Sequence, residues 1–69
     1  MTQVQIENTF TYHAPKGDQT ERYEKLRSKA KELASLMASA CPNSREKSLA
    51  FTNLQQAVMW ANDSIAINE

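Results

Sequence analysis

Arg27 and Lys31 stand four residues apart, the spacing that puts two side chains on one face of a helix, and Ala34 and Ala38 continue that face with room to spare beside the cations. Together they suit an anion: a guanidinium binds it as a planar fork, an ammonium as a point charge. Upstream, Phe10-Thr11-Tyr12-His13 adds two aromatic rings and an imidazole. Rings beside paired cations are the elements a single nucleotide needs, a face on which the base stacks and charge for the phosphate. Plainer readings stand beside this one. Tyr12 also suits simple packing, and His13 an ordinary surface or turn position.

A second place for an anion is Asn43-Ser44-Arg45, where free backbone amides at a helix start would meet a hydroxyl, an amide and a guanidinium. Plain helix capping by Asn43 and Ser44 explains the same residues. Lys16, Arg22, Lys25 and Lys29 make the stretch around Arg27 and Lys31 locally basic. Of these, Arg22, Lys25 and Lys29 point away from the Arg27 face and read as solvated.

Catalysis finds little footing. No carboxylate pair suggests a raised pKa, no nucleophile has a nearby base, and Gly17 is the only glycine, which excludes a glycine-rich phosphate loop. His13 and Cys41 lack zinc-like spacing, so neither a metal nor a cofactor is expected. Cys41 is the single cysteine, which excludes an intrachain disulfide and fits a reducing compartment; it reads as a small buried residue near a turn. The expectation is a protein that binds and is not an enzyme.

The elements that position these residues follow from apolar spacing. Val4, Ile6, Phe10 and Tyr12, with polar residues between, suit an extended arm lying on a surface. Pro15 disfavours a helix at Ala14, and Lys16-Gly17-Asp18 reads as a turn. Asp18 lies three residues before Glu21, a capping-box spacing that starts the first long helix. Along it, Tyr23, Leu26, Ala30, Leu33, Met37 and Ala40 alternate spacings of three and four, the seam of a packed helix. Cys41-Pro42-Asn43 ends it, and so short a connection makes the next helix an antiparallel neighbour. The fold class is therefore all-α: one domain over 1–69, with an arm at 1–17 and a two-helix hairpin of 18–41 and 44–67.

Phe51, Leu54, Val58, Ala61 and Ile65 close the hairpin from the second helix. At about 100° per residue, Leu49, Gln56, Trp60 and Ile67 fall on the opposite side, so a tryptophan and two aliphatic residues would face water in a monomer. A chain of 69 residues without disulfide or metal has few other means of adding stability, and helix-on-helix assembly through Leu49, Trp60 and Ile67 is expected. The 8 basic residues balance the 8 acidic ones and the sequence pI is 6.6, which speaks against duplex nucleic acid, as does the straight hairpin. No apolar run reaches the roughly 18–20 residues of a membrane span, so the protein is expected to be soluble and cytoplasmic.

Tyr12-His13, Tyr23, Leu26-Arg27, Ala30-Lys31-Glu32-Leu33-Ala34, the run Cys41 to Ala50, and Ala57-Val58-Met59-Trp60-Ala61-Asn62 resemble the hairpin domain shared by phage anti-CBASS and anti-Thoeris sponge proteins. The resemblance extends from about Phe10 to Glu69. It implies a helical protomer assembled as a homohexamer in the cytoplasm of an infected bacterium. Such a protein holds cyclic nucleotide second messengers, such as cyclic GMP-AMP, without cleaving them and so starves the immune effector. By that resemblance Tyr12 stacks on a base of a cyclic dinucleotide with His13 beside it, and Arg27, with Lys31 as neighbour, meets the phosphate between protomers. Ser44 and Arg45 would serve a second site for cyclic trinucleotides near a threefold axis. The anti-Thoeris branch binds a cyclic ADP-ribose isomer with further elements, and the connection between the helices is longer in some members than here. From the residues alone the alternative is a helical-hairpin interaction module, adaptor or antitoxin-like, whose Trp60 face docks a protein partner.

Overall fold

The computed structural model describes all 69 residues and holds three helices, α1 (Gln3–Phe10), α2 (Gln19–Ala40) and α3 (Arg45–Asn68). The extended arm expected at Val4–Tyr12 is corrected, because residues up to Phe10 form α1. A capping box decides this. Thr2 Oγ1 accepts from the Gln5 amide at 3.1 Å, and Gln5 Oε1 accepts from the Thr2 amide at 2.8 Å, so two otherwise free amides are satisfied at once. The Thr11 hydroxyl donates to the Glu7 carbonyl at the other end, and the chain then runs without regular structure to the turn at Gly17, whose φ of 58° suits glycine.

Asp18 precedes α2 but its side chain makes no capping hydrogen bond; instead its carboxylate pairs with Arg22 at 3.2 Å, which corrects the capping-box expectation. Ser44 does cap α3, accepting from the Lys47 amide at 3.1 Å. The hairpin is closed at both ends by side chains from α3 and its cap. At the turn, Lys47 Nζ donates to the Ala38 carbonyl at 2.9 Å and to Asn43 Oδ1 at 3.1 Å, supplying the positive group that the last turn of α2 lacks. At the open end, Glu69 takes both terminal nitrogens of Arg22, which fixes α2 and α3 antiparallel.

Between the helices, Tyr23, Leu26, Ala30, Ala34 and Met37 meet Phe51, Leu54, Val58, Ala61 and Ile65, all of them half-buried. Leu33 and Ala40, expected on this seam, are exposed. The half-buried residues of α2 centre on the Ala30 line, and Leu33 falls about 60° to one side of it, where the partner helix does not reach. Leu36, on the same flank, is exposed as well.

No apolar residue is fully buried. The molecule measures 45 × 28 × 12 Å, a slab one helix thick. Its radius of gyration is 15.2 Å, against about 11 Å for a compact chain of this length. Its accessible surface is 5600 Å², against about 4400 Å² for a compact monomer of this mass. Over most of its length α3 is covered from the α2 side only, with α1 reaching just its C-terminal end, and Leu49, Met59 and Trp60 stand open on it, Trp60 at 71% exposure.

Candidate functional site

Arg27 and Lys31 project from α2 at the edge of a groove of 480 Å³ between the long helices. Ala30 and Ala34 of α2 and Phe51, Leu54, Val58 and Met59 of α3 form its apolar lining, and Gln55 adds one amide. The groove exists because α2 presents small residues where α3 presents large ones, so the helices leave space beside the cations. Neither cation takes part in an ion pair. An unneutralised guanidinium and ammonium above an apolar floor suit a ligand with a flat ring system and a negative group.

Tyr12 and His13 lie in a different hollow, of 340 Å³, formed where the segment after α1 passes the ends of α2 and α3. Tyr12 is 84% exposed, a ring held in solvent with no packing role in the protomer. His13 Nε2 donates to the Asn8 carbonyl at 2.6 Å. Lys16, Gln19 and Glu69 complete the polar rim. The two hollows are separate: Gln19 in one precedes Arg27 in the other by eight residues, about 12 Å along α2.

At the turn, the Ser44 hydroxyl is engaged as acceptor of the Lys47 amide and as donor to the Pro42 carbonyl at 3.1 Å, and Asn43 Oδ1 receives Lys47. Arg45 is exposed and without an ion-pair partner. Of the residues expected to carry assembly, Leu49 and Trp60 are exposed in the protomer, and Trp60 borders a further hollow with Met1 and Phe10. Ile67 is half-buried, because its helix end lies against the arm: the Asn8 side chain donates to the Ile67 carbonyl at 3.0 Å.

Arg22 departs from the solvated face expected of it. Hydrogen bonds from Arg22, then from Gln19, hold the Glu69 carboxyl down at about 2, and the same Glu69 bonds push the Arg22 guanidinium above its ordinary range. The partners are 47 residues apart in sequence, and only the antiparallel register brings them together. Gln19, Lys47 and Asn8 carry no local signal either; the register from the Pro42 turn, which sets the start of α2 opposite the end of α3, is the clue that sequence reasoning did not use.

No group of His, Cys, Asp or Glu side chains is placed to hold a metal ion, and no helix is long and apolar enough to cross a membrane. No curated protein and no solved structure matches this chain. Residues 2–66, however, match the model of the Acb2/Tad1 hairpin domain, and the chain thus belongs to that family of phage anti-CBASS and anti-Thoeris sponge proteins.

Proposed function

We propose that this protein binds cyclic dinucleotide second messengers in pockets between protomers and sequesters them without cleavage, so that a CBASS-type effector is never activated. The observation that carries this reading is the pair Arg27 and Lys31, unneutralised at an apolar groove, in a chain that matches a sponge family over residues 2–66. Tyr12 supplies the stacking surface and Arg27, assisted by Lys31, the charge for the phosphate. Within one protomer these groups occupy separate hollows, which supports a shared pocket in which Tyr12 of one copy would face Arg27 of another. His13 orders the backbone beside Tyr12.

Assembly follows from the same geometry. A slab without a buried apolar residue, with Trp60 and Leu49 open, gains most by stacking on copies of itself, and the assembly proposed is a homohexamer in the host cytoplasm. Arg45 at the head of α3 offers a separate basic contact for cyclic trinucleotides, beside Ser44. Removal of free messenger requires affinity around nanomolar, about −12 kcal/mol, which an enclosing, pre-assembled pocket reaches more readily than an open surface.

Calorimetric titration with a panel of cyclic di- and trinucleotides tests the reading. Saturable heat with at least one cyclic dinucleotide, abolished or strongly weakened in Arg27→Ala, supports it. No heat across the panel rejects it in favour of a protein-binding hairpin.

A further inference from the structure

Gln19 is the only buried residue in the chain, 4% exposed, and it is polar. Its amide is used at both ends: Oε1 accepts from the Lys16 backbone at 3.1 Å, and Nε2 donates to Glu69 Oε1 at 3.3 Å. Burial of an amide is tolerated where such partners replace water. Glu69 in turn is gripped by Arg22, whose Nη1 donates to Glu69 Oε2 at 2.7 Å. A second chain of contacts runs nearby, from the Ile67 carbonyl to the Asn8 amide at 3.0 Å, and from the Asn8 carbonyl to His13 Nε2 at 2.6 Å.

These two chains converge on one place. Residues 12–16 have no helix or strand, yet His13 near the start and Lys16 at the end are both tied, through Asn8 and Gln19, to the end of α3, at Ile67 and at the capping residue Glu69. Tyr12 is carried by this tethered segment and makes no tether of its own. We infer that the end of α3 is the positioning device for the Tyr12 segment, with Glu69 and Gln19 as positioning residues for ligand capture. The inference rests on the reading of Tyr12 as the base-stacking residue. A segment already ordered loses no freedom when ligand arrives, whereas one that occupies the competent shape a tenth of the time binds about tenfold more weakly.

The test pairs backbone amide hydrogen exchange over residues 11–16 with titration of cyclic GMP-AMP, in the full chain and in Glu69→Ala, Glu69→Gln and Gln19→Leu. Glu69→Ala and Gln19→Leu are expected to speed exchange across that segment, leave the middle of α2 protected, and weaken binding by about tenfold. Glu69→Gln keeps an acceptor for Gln19 and falls between them and the parent. Gln19→Leu decides the matter if Glu69→Ala loosens the whole hairpin. Parental exchange and affinity in Gln19→Leu overturn the inference and reduce Glu69 to a clamp between helix ends. If Tyr12→Ala binds as the parent does, the stacking reading fails instead, and Glu69 and Gln19 are not positioning residues for capture even where exchange shows the tether.

Discussion

Replacing Trp60 by alanine separates a hairpin that stands alone from one that must be covered. The indole is 71% exposed and faces away from the α2–α3 seam, so in a monomer the change falls among surface substitutions, worth about 0.5 kcal/mol either way. In an assembly that covers it the arithmetic differs. An aromatic side chain buries roughly 150–250 Å², and at about 25 cal/mol per Å² the still-exposed share of Trp60 is worth about 3–4 kcal/mol per copy. That corresponds to two to three orders of magnitude in the association constant, at about 1.4 kcal/mol per tenfold. Sedimentation equilibrium or light scattering across a wide concentration range reads this directly, and circular dichroism at high concentration checks that the helices persist. The expected result is a parent that remains assembled on dilution and a Trp60→Ala chain that dissociates at concentrations at least a hundredfold higher. An assembly with parental concentration dependence would refute the argument from the uncovered face.

Tyr12→Ala is expected to weaken cyclic dinucleotide binding by about 1–3 kcal/mol, the value of one stacked base, with the oligomer intact by light scattering. Arg27→Ala should cost about 1.5–3 kcal/mol in the same titration, the range for a hydrogen bond to a charged group, and lower the salt dependence of binding. Lys47→Met removes two hydrogen bonds that close the turn of the hairpin and should lower Tm by several degrees at fixed protein concentration, since each bond contributes about 1 kcal/mol. Glu69 gives a pH signature. Its folded carboxyl lies at about 2 against an ordinary 4.5, so the stability it adds is present above pH 4.5 and is lost as pH falls toward 2. Glu69→Gln should flatten the fall in Tm across that window, and a parental slope in the variant would show that Arg22 does not hold the carboxylate in solution.

The parts of this fold that sequence reading reached are those written in local periodicity. Phe51, Leu54, Val58, Ala61 and Ile65 lie against α2 because alternate steps of three and four keep one line on a helix, whatever the partner. On α2 the same rule slipped at Leu33. Ala34 takes the inward place, because the seam is set by where the two helices cross, and spacing alone does not separate Leu33 from a residue one step away on the line. At the arm the pattern itself is ambiguous: Val4 and Ile6 fit period two, but Ile6 and Phe10 equally fit a helix, and Thr2 with Gln5 tips the balance by satisfying end amides that a strand leaves out. Arg27 and Lys31 were legible as a pair, since a spacing of four needs no tertiary knowledge. The tie from Glu69 to Gln19 and Arg22 was not, because contacts across about 50 residues depend on the hairpin register.

Capture without chemistry sets a sponge apart from an enzyme, and recovery of the bound ligand reads it directly. Cyclic GMP-AMP is incubated with excess protein, the free ligand is quantified after ultrafiltration, and the retained fraction is then denatured and the released nucleotide quantified by chromatography. Depletion from the filtrate followed by full recovery of intact cyclic dinucleotide is the expected outcome. Recovery of linear or hydrolysed product, or a filtrate that keeps its full ligand content, would contradict the sponge account.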